Sequence, residues 1–548
     1  MMFETIQRSI KQYPTQLILV IIGALLFLPF LNHVHLFDCD EINFAESARE
    51  MLLTHNFRMV QMNFQPLYEE PPLFIWLQAF SMSYFGVNEF AARLPNAICG
   101  IATLLVVFNV GRYVFKSQLG VLWAMMFCCS ILPHLYFKSA IIDPLFNLFI
   151  FLGVFFLFKL SVQNDFENQK MQKRNRRWNL IFSALFIGLA TLTKGPVAIL
   201  IAVLTASTYF FVNRGKLKIE LGEMFLWWVM VAVVIIFWLS FEIHANGLKF
   251  IDEFITYQIG LYRSEDMRDV RSIFYHPILL LIGVFPASAL IYDAFKRNGH
   301  DVTTQVFFKR WMIYLLCVVL VVFSVVKTKV VHYSSLCYFP ITFLAGYYLN
   351  YLFDGKMKWT WRQTVPLLTI AVLITVSLTG GIFLIQRPDV FVNYVKDDFA
   401  KEILKAKVYW SNYDIRFGII YLISIVISIL MMQTKQVKWG AYILIISSAL
   451  FISTMMTFVV PRVEKYSQAA LIEFLESKAN EPCRIETDGF KSYAHYFYAS
   501  KPFPSPADTS KPLYVVTKCT KVEEVKSHNS KLVELYRKNG WVFFKEEK

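Results

Sequence analysis

The chain has 548 residues, of which 56% are hydrophobic and only 17% charged, with a mean hydropathy of +0.46. Soluble domains carry about a quarter charged residues, so composition argues against a soluble globular protein. The net charge of +14 sits in short clusters between apolar runs, not in a basic stripe interleaved with aromatics, which argues against a nucleic-acid binder.

Apolar runs of about 17–25 residues suffice to cross the hydrocarbon core as helices, and backbone groups cannot be left unpaired in lipid. The runs are apolar throughout, whereas the strands of a membrane β-barrel would alternate. Hydropathy predicts about thirteen spans. In chain order they lie at 15–32, 92–112, 118–136, 141–160, 178–193, 195–213, 223–241, 276–295, 310–326, 334–353, 364–385, 415–433 and 438–460. The first lacks a small-residue cleavage site and reads as a retained helix. Placing Arg8 and Lys11 in the cytoplasm puts Arg112/Lys116, 170–177, 214–218, Lys296/Arg297 with Lys309/Arg310, 356–362 and Lys435/Lys438 on the inner side, as the positive-inside rule requires. The expected architecture is an all-α polytopic membrane domain over residues 1–460, followed by a small external α/β domain over 461–548. The external segments are then 33–91, 242–275, 386–414 and 461–548.

The external segments carry the unusual polar residues. DCDEINFAESAREM, with acidic and apolar residues at helical spacing, predicts an amphipathic helix at the interface. Asp38, Asp40 and Glu41 lie at its start, where negative charge suits the helix dipole and a carboxylate can act as a general base or a metal ligand. In PLYEEPPLFIWLQAF, Glu69 and Glu70 precede a stiff Pro71-Pro72 stop, a candidate divalent-cation or acid/base site. Arg93 is a candidate phosphate ligand or helix-entry anchor. Asp143, in KSAIIDPLFN, is a second external carboxylate or an N-cap. Lys194, in LATLTKGPVAIL, can anchor a phosphate or snorkel. FSVVKTKVVHYSS sets Lys327, Lys329, His332 and Tyr333 together outside, against the charge rule, and a lipid phosphate would supply the counter-charge. Arg263 in the loop 242–275 can join them. In the last segment, SQAALIEFLESKAN and KVEEVKSHNSKLVELYRK read as helices and CRIETDGF, PLYVVTK and WVFFK as strands. Cys483 and Cys519, its only two cysteines, predict a disulfide in an oxidising compartment.

Taken in order, DE…FAESAREM, YEEPPLFIWLQAFSMSYFGVNEFAARLP, the Asp143 turn, GLATLTKGPVAIL and S-x-x-K-T-K-x-x-H-Y resemble the bacterial membrane glycosyltransferases of GT-C fold. The resemblance is to the lipid A aminoarabinose transferase branch, related to the protein O-mannosyltransferases, and it spans roughly residues 1–350. It implies an inverting transfer from an undecaprenyl-phosphate sugar to a lipid A, protein or glycan acceptor at the outer face of the bacterial cytoplasmic membrane. By it Asp40 is the catalytic carboxylate, with Glu41 beside it, and Asp143 is the second acid. Glu69, with Glu70, becomes a divalent-metal position. Lys194, Arg263, Lys327 and Lys329 would contact the donor phosphate, and the residues themselves add His332 and Arg93 to that set. No nucleotide or organic cofactor is implied. Two departures stand out. The family's E-K-P-P reads Glu69-Glu70-Pro71-Pro72, and its Glu-His before the loop arginine reads Tyr257-Gln258, which removes a histidine ligand. The alternative reading is a transporter or flippase of a lipid-linked sugar, which would carry ionisable groups near mid-membrane.

Overall fold

A computed structural model describes residues 13–68, 70–162, 169–213, 219–263, 272–326, 329–501 and 510–547. The chain begins with α1 (Pro14–Phe27), followed by α2 (Asp40–Thr54), a two-stranded ribbon β1 (Gln61–Met62) and β2 (Gln65–Pro66), and α3 (Leu73–Phe85). The bundle continues with α4 (Glu89–Val114), α5 (Ser117–Cys128), α6 (Ile131–Tyr136), α7 (Asp143–Val162), α8 (Gln169–Lys194), α9 (Val197–Val212), α10 (Leu221–Asn246), α11 (Lys249–Arg263) and α12 (Tyr275–Gly283). It is completed by α13 (Thr303–Val325), α14 (Tyr338–Phe353), α15 (Trp361–Ile385), α16 (Pro388–Phe391), α17 (Asp398–Leu404), α18 (Asn412–Gln433) and α19 (Val437–Thr454).

Among the described residues seven helices are long and apolar enough to cross a membrane: Glu89–Val114, Asp143–Val162, Leu221–His244, Thr303–Val325, Trp361–Ile385, Tyr413–Gln433 and Val437–Ser467. The expectation of about thirteen is not met at this standard, and the causes are local. Pro14–Phe27, Ser117–Cys128 and Val197–Val212 are apolar but short. The run 118–136 breaks at Cys129–Ser130 into two helices. The run 276–295 stays α-helical only to Gly283, and beyond Pro286, which cannot donate an N–H, it continues as two 3-10 turns.

Caps and close approaches fix the bundle. Asn88 accepts the Ala91 N–H at the start of α4, with Glu89 in its first turn and Arg112 in its last, which suits the dipole at both ends. α4 and α5 meet at Gly111 and Gly120, where a Cβ on Gly111 would lie 2.7 Å from the Gly120 Cα. Small residues at such crossings let backbones touch. The basic clusters gather at one end of the bundle: Lys116 pairs with Asp354 at 2.6 Å, Arg362 with Asp293 at 3.5 Å, and Arg310 donates to Asn213 at 2.7 Å.

At the opposite end stands the C-terminal domain, and the helix Val437–Ser467 runs unbroken through the expected boundary at 460–461. Its elements are α20 (Val460–Ser467), α21 (Ala469–Ser477), β3 (Arg484–Thr487), α22 (Ala494–Phe497), β4 (Leu513–Lys518), α23 (Val522–His528), β5 (Leu532–Lys538) and β6 (Trp541–Glu546). The sheet has the order β3-β4-β6-β5, with β3 parallel to β4 and the remaining pairs antiparallel. The expected helix over 521–538 is therefore half right: it stops at His528, and 532–538 is a strand. The signal for that hairpin is Asn539-Gly540, both at positive φ, a two-residue turn that pairs Lys538 with Trp541.

α2 forms where expected, but it does not lie open along an interface. One apolar core joins Leu36, Ile42, Ala45, Ala48 and Met51 to Leu471, Phe474, Ile485, Tyr498, Val516 and Phe543. The C-terminal domain thus covers α2, and Glu46, Ser47, Arg49 and Glu50 are buried with it.

Candidate active site

Four separate segments bring polar side chains together at the domain end of the bundle. Asp40 is the first residue of α2, Asp143 the first of α7 and Lys194 the last of α8. Antiparallel packing of α7 on α8 puts the start of one beside the end of the other. Each charge matches the helix dipole at its own end, and Gly195 at φ +97° followed by Pro196 ends α8 there. The Lys194 Nζ donates to Asp143 Oδ1 at 2.6 Å and lies 5.5 Å from the centre of the Tyr333 ring. Next to Tyr333, His332 Nδ1 is 3.7 Å from Asp40 Oδ2.

Two hydrogen bonds fix the 3-10 turn Val331–Cys337 that carries His332 and Tyr333. Asn147 of α7 donates to Ser335 Oγ at 2.7 Å, and His276 Nδ1 pairs with Ser334 Oγ at 3.1 Å. The two acids differ in access: the Asp40 side chain is 48% exposed, the Asp143 side chain 5%. Asp143 is therefore committed to Lys194, while Asp40 is open to an incoming group. Burial lowers the His332 pKa below its ordinary value, opposed by Asp143, reinforced by Lys194 and opposed again by Asp40. Burial lifts Asp38 above the usual carboxylate range against the Ser492 hydroxyl and Lys518.

The remaining sequence candidates divide clearly. Glu70 lies within electrostatic reach of Lys194 and Tyr333. Glu41 and Arg93 form a buried pair with each other. Arg93 donates Nε to Glu41 Oε1 at 3.0 Å and Nη2 to Oε2 at 2.7 Å. Its other donors reach the carbonyls of Leu31 (2.8 Å), Val34 (2.7 Å) and His35 (2.9 Å). All five guanidinium N–H groups are thus used, leaving none for a phosphate. Glu41 also accepts the N–H groups of Phe37 and Ala140. Burial raises its pKa, but Arg93 and these donors outweigh it and hold the carboxyl below its ordinary range. Glu41 is thereby taken up in structure.

Lys329 is likewise occupied: its three N–H donors go to the carbonyls of Phe323, Ser324 and Val326 at 3.0, 2.7 and 2.6 Å. It closes the C-terminal end of α13. Glu69, Lys327 and the Arg263 side chain lie outside the described residues, as does the side chain of Gln258. Among the described residues no group of three or more His, Cys, Asp or Glu could hold a metal ion.

The expected disulfide is not formed: Cys483 and Cys519 are both free thiols. Cys483 packs with Ile485, Val516 and Phe543 on one side of the sheet, whereas Cys519 packs with Val515, Val542 and Phe544 on the other. A bridge needs both Cβ atoms on the same side within about 4 Å.

Residues that patterning did not mark also reach the site. Tyr136 and Tyr338 pack edge to face with ring centres 5.6 Å apart, in electrostatic reach of Asp143. One turn before Tyr136, an apolar cleft of about 510 Å³ opens between Ile131, Leu132, Tyr275, Ile278, Leu279 and Ile282. From the C-terminal domain, Gln468 and Tyr498 bond to the strap before Asp40, and Ser492 lies beside Asp38. Ordinary polar residues without spacing or charge pattern gave no sequence signal for this.

Residues 69–241 match the family model described as dolichyl-phosphate-mannose-protein mannosyltransferase. An arabinosyl transferase of Shewanella sediminis, named for undecaprenyl phosphate-alpha-4-amino-4-deoxy-L-arabinose, is 26% identical over 61% of this chain and 59% of its own length. The protein of the same name from Pectobacterium atrosepticum is 24% identical over 61% and 58%. The match thus spans less than two thirds of these relatives. Among solved structures, ArnT from Cupriavidus metallidurans bound to undecaprenyl phosphate superposes with TM-score 0.75 at 16% identity, covering 96% of this chain and 97% of that one. The oligosaccharyltransferase AglB from Archaeoglobus fulgidus gives TM-score 0.53 at 10% identity over 95% and 71%. The chain therefore has the GT-C glycosyltransferase fold and is related to the undecaprenyl-phosphate aminoarabinose transferases and the protein mannosyltransferases.

Proposed function

We propose that this protein is a glycosyltransferase that moves a sugar from a polyprenyl-phosphate donor to a hydroxyl of a lipid, protein or glycan acceptor, with inversion. The reaction takes place at the outer face of the bacterial cytoplasmic membrane, with the N-terminus inside. The observation that carries this reading is the open Asp40 carboxylate facing His332 beside the buried Asp143–Lys194 pair.

Asp40 takes the proton of the acceptor hydroxyl as its oxygen attacks the anomeric carbon. The bond from that carbon to the phosphate oxygen breaks on the opposite side, and the polyprenyl phosphate leaves with the electron pair. Lys194 has donors beyond the one held by Asp143 and offsets the charge that grows on the leaving phosphate. Asp143 keeps Lys194 aimed, and the apolar cleft by Tyr136 suits a prenyl chain. Glu70 lies within electrostatic reach of the Lys194 ammonium, and with Glu69 it is the position at which a divalent cation would be held.

The test is transfer of label from a polyprenyl-phosphate sugar in membranes carrying the protein. Wild-type membranes are expected to glycosylate an acceptor, and Asp40→Asn to slow this by about 10²–10⁴-fold. Full activity in a folded Asp40→Asn variant, or movement of label across the bilayer without transfer, would overturn the proposal.

A further inference from the structure

The strap that delivers Asp40 is bound along both edges. Residues 35–37 have no regular structure, yet their backbone groups are paired as a strand's would be. On one edge the Gln468 side-chain amide donates Nε2–H to the Leu36 carbonyl at 2.8 Å and accepts the Asp38 N–H on Oε1 at 3.4 Å. A single amide thereby bridges residues i and i+2, as a neighbouring strand does. Tyr498 OH accepts the Leu36 N–H at 2.6 Å, and the Ser492 hydroxyl lies beside the Asp38 carboxylate. On the other edge Glu41 accepts the Phe37 N–H at 2.9 Å, itself held by Arg93.

Gln468 is buried and directly follows the long helix Val437–Ser467, and its carbonyl accepts the Ile472 N–H at 3.0 Å as α21 begins. It is thus tied to the bundle by a continuous helix. The bond from His35 Nδ1 to Glu464 at 2.9 Å, one turn earlier on that helix, fixes the start of the strap.

We infer that the C-terminal domain sets the position of Asp40 in catalysis, with Gln468 as the principal positioning residue and Ser492 and Tyr498 supporting it. The inference rests on Asp40 being the base. Gln468 touches no reacting atom; it holds Leu36 and Asp38, ahead of the α2 start, so that the carboxylate projects toward His332. Misplacement of a reacting group by about 1 Å costs on the order of 100-fold in rate, so loss of the clamp is felt in the chemical step and not in donor binding.

The experiment uses the full-length protein in membranes, with a polyprenyl-phosphate sugar as donor. Gln468→Ala is expected to lower kcat by about 10- to 100-fold with the donor KM little changed and the unfolding midpoint within the range of Glu473→Ala. Glu473→Ala breaks only the exposed pair with Lys538 and leaves the rate unchanged. In an Asp40→Asn background, adding Gln468→Ala is expected to slow the residual reaction no further, because both changes remove one function. Should Gln468→Ala fail to fold, Ser492→Ala gives the same comparison through the Asp38 carboxylate. An unchanged kcat, a loss that multiplies with that of Asp40→Asn, or a loss that follows the unfolded fraction overturns the inference. If Asp40→Asn itself retains full rate, it is the assignment of the base that fails.

Discussion

Replacing Arg93 separates a structural cation from a phosphate ligand. In Arg93→Ala the Glu41 carboxylate stays buried with only the Phe37 and Ala140 N–H donors, and the carbonyls of Leu31, Val34 and His35 lose theirs. Breaking a buried ion pair from one side costs about 3–5 kcal/mol, and each stranded carbonyl adds about 1 kcal/mol where water does not reach it. A loss of about 6–8 kcal/mol is a large part of a typical folding stability of about 5–15 kcal/mol, so Arg93→Ala is expected to be poorly folded. Arg93→Lys keeps the charge but offers three donors for five acceptors, and about 2 kcal/mol is expected to be lost. The assay is denaturant unfolding in detergent, followed by tryptophan fluorescence. A pH series adds a check of sign: the folded Glu41 pKa is lowered. Its contribution is therefore complete above the ordinary Glu value and fades as pH falls through the folded one. Glu41→Gln should lack that acid sensitivity. The reasoning is refuted if Arg93→Ala unfolds like wild type while the donor KM rises, since Arg93 would then be serving the phosphate.

Three further outcomes follow from the same contacts. Burial and then the neighbouring Glu46 raise the Glu50 pKa from 4.5 to about 8. The native state thus holds a proton that the unfolded state lacks in this window, and stability is expected to fall as pH rises through it, by up to about 1.4 kcal/mol per pH unit. Thermal midpoints at about pH 5 and about pH 8.5 should show Glu50→Gln losing less than wild type; equal losses would refute this. Lys329→Met strands three carbonyls at the end of α13 and is expected to cost about 1–3 kcal/mol without altering donor KM; a raised KM at unchanged stability would restore the phosphate role. Mass spectrometry of non-reduced protein should find Cys483 and Cys519 as thiols, and a linked peptide would contradict the two-sided packing of the sheet.

How much was legible in the sequence depended on whether a feature was set by nearby residues. Every expected span contains helix, because a run of apolar residues needs only its own backbone bonds and a lipid or protein surface, but not every run is one unbroken helix. Which runs stay unbroken is decided by contacts: Ser130 turns its hydroxyl back to the Met126 carbonyl at 2.6 Å, where α5 gives way to α6. In the strand Leu532–Lys538, Leu532, Leu535 and Tyr536 fit a 3.6-residue period, which predicts helix. Pairing with β6 overrode that local preference.

The site was legible to a similar extent and for the same reason. Asp40, Asp143, Lys194 and His332 stood out because charges at helix ends facing one side of a membrane are uncommon, and the fold does bring them together. Their neighbours Glu41, Arg93 and Lys329 stood out equally, yet each is consumed by backbone groups. No charge count distinguishes a free cation from one whose every donor is spent. That distinction lies in bonds such as Arg93 to Leu31, 62 residues away, or Gln468 to Leu36, 432 residues away. The consequence is asymmetric. At a membrane border an unusual charge marks a place where the chain needs an ion, while only the count of filled donors and acceptors says whether the ion serves the fold or awaits a ligand. By that count Arg93 and Lys329 serve the fold. Lys194, which donates to Asp143, retains further N–H donors for an incoming anion.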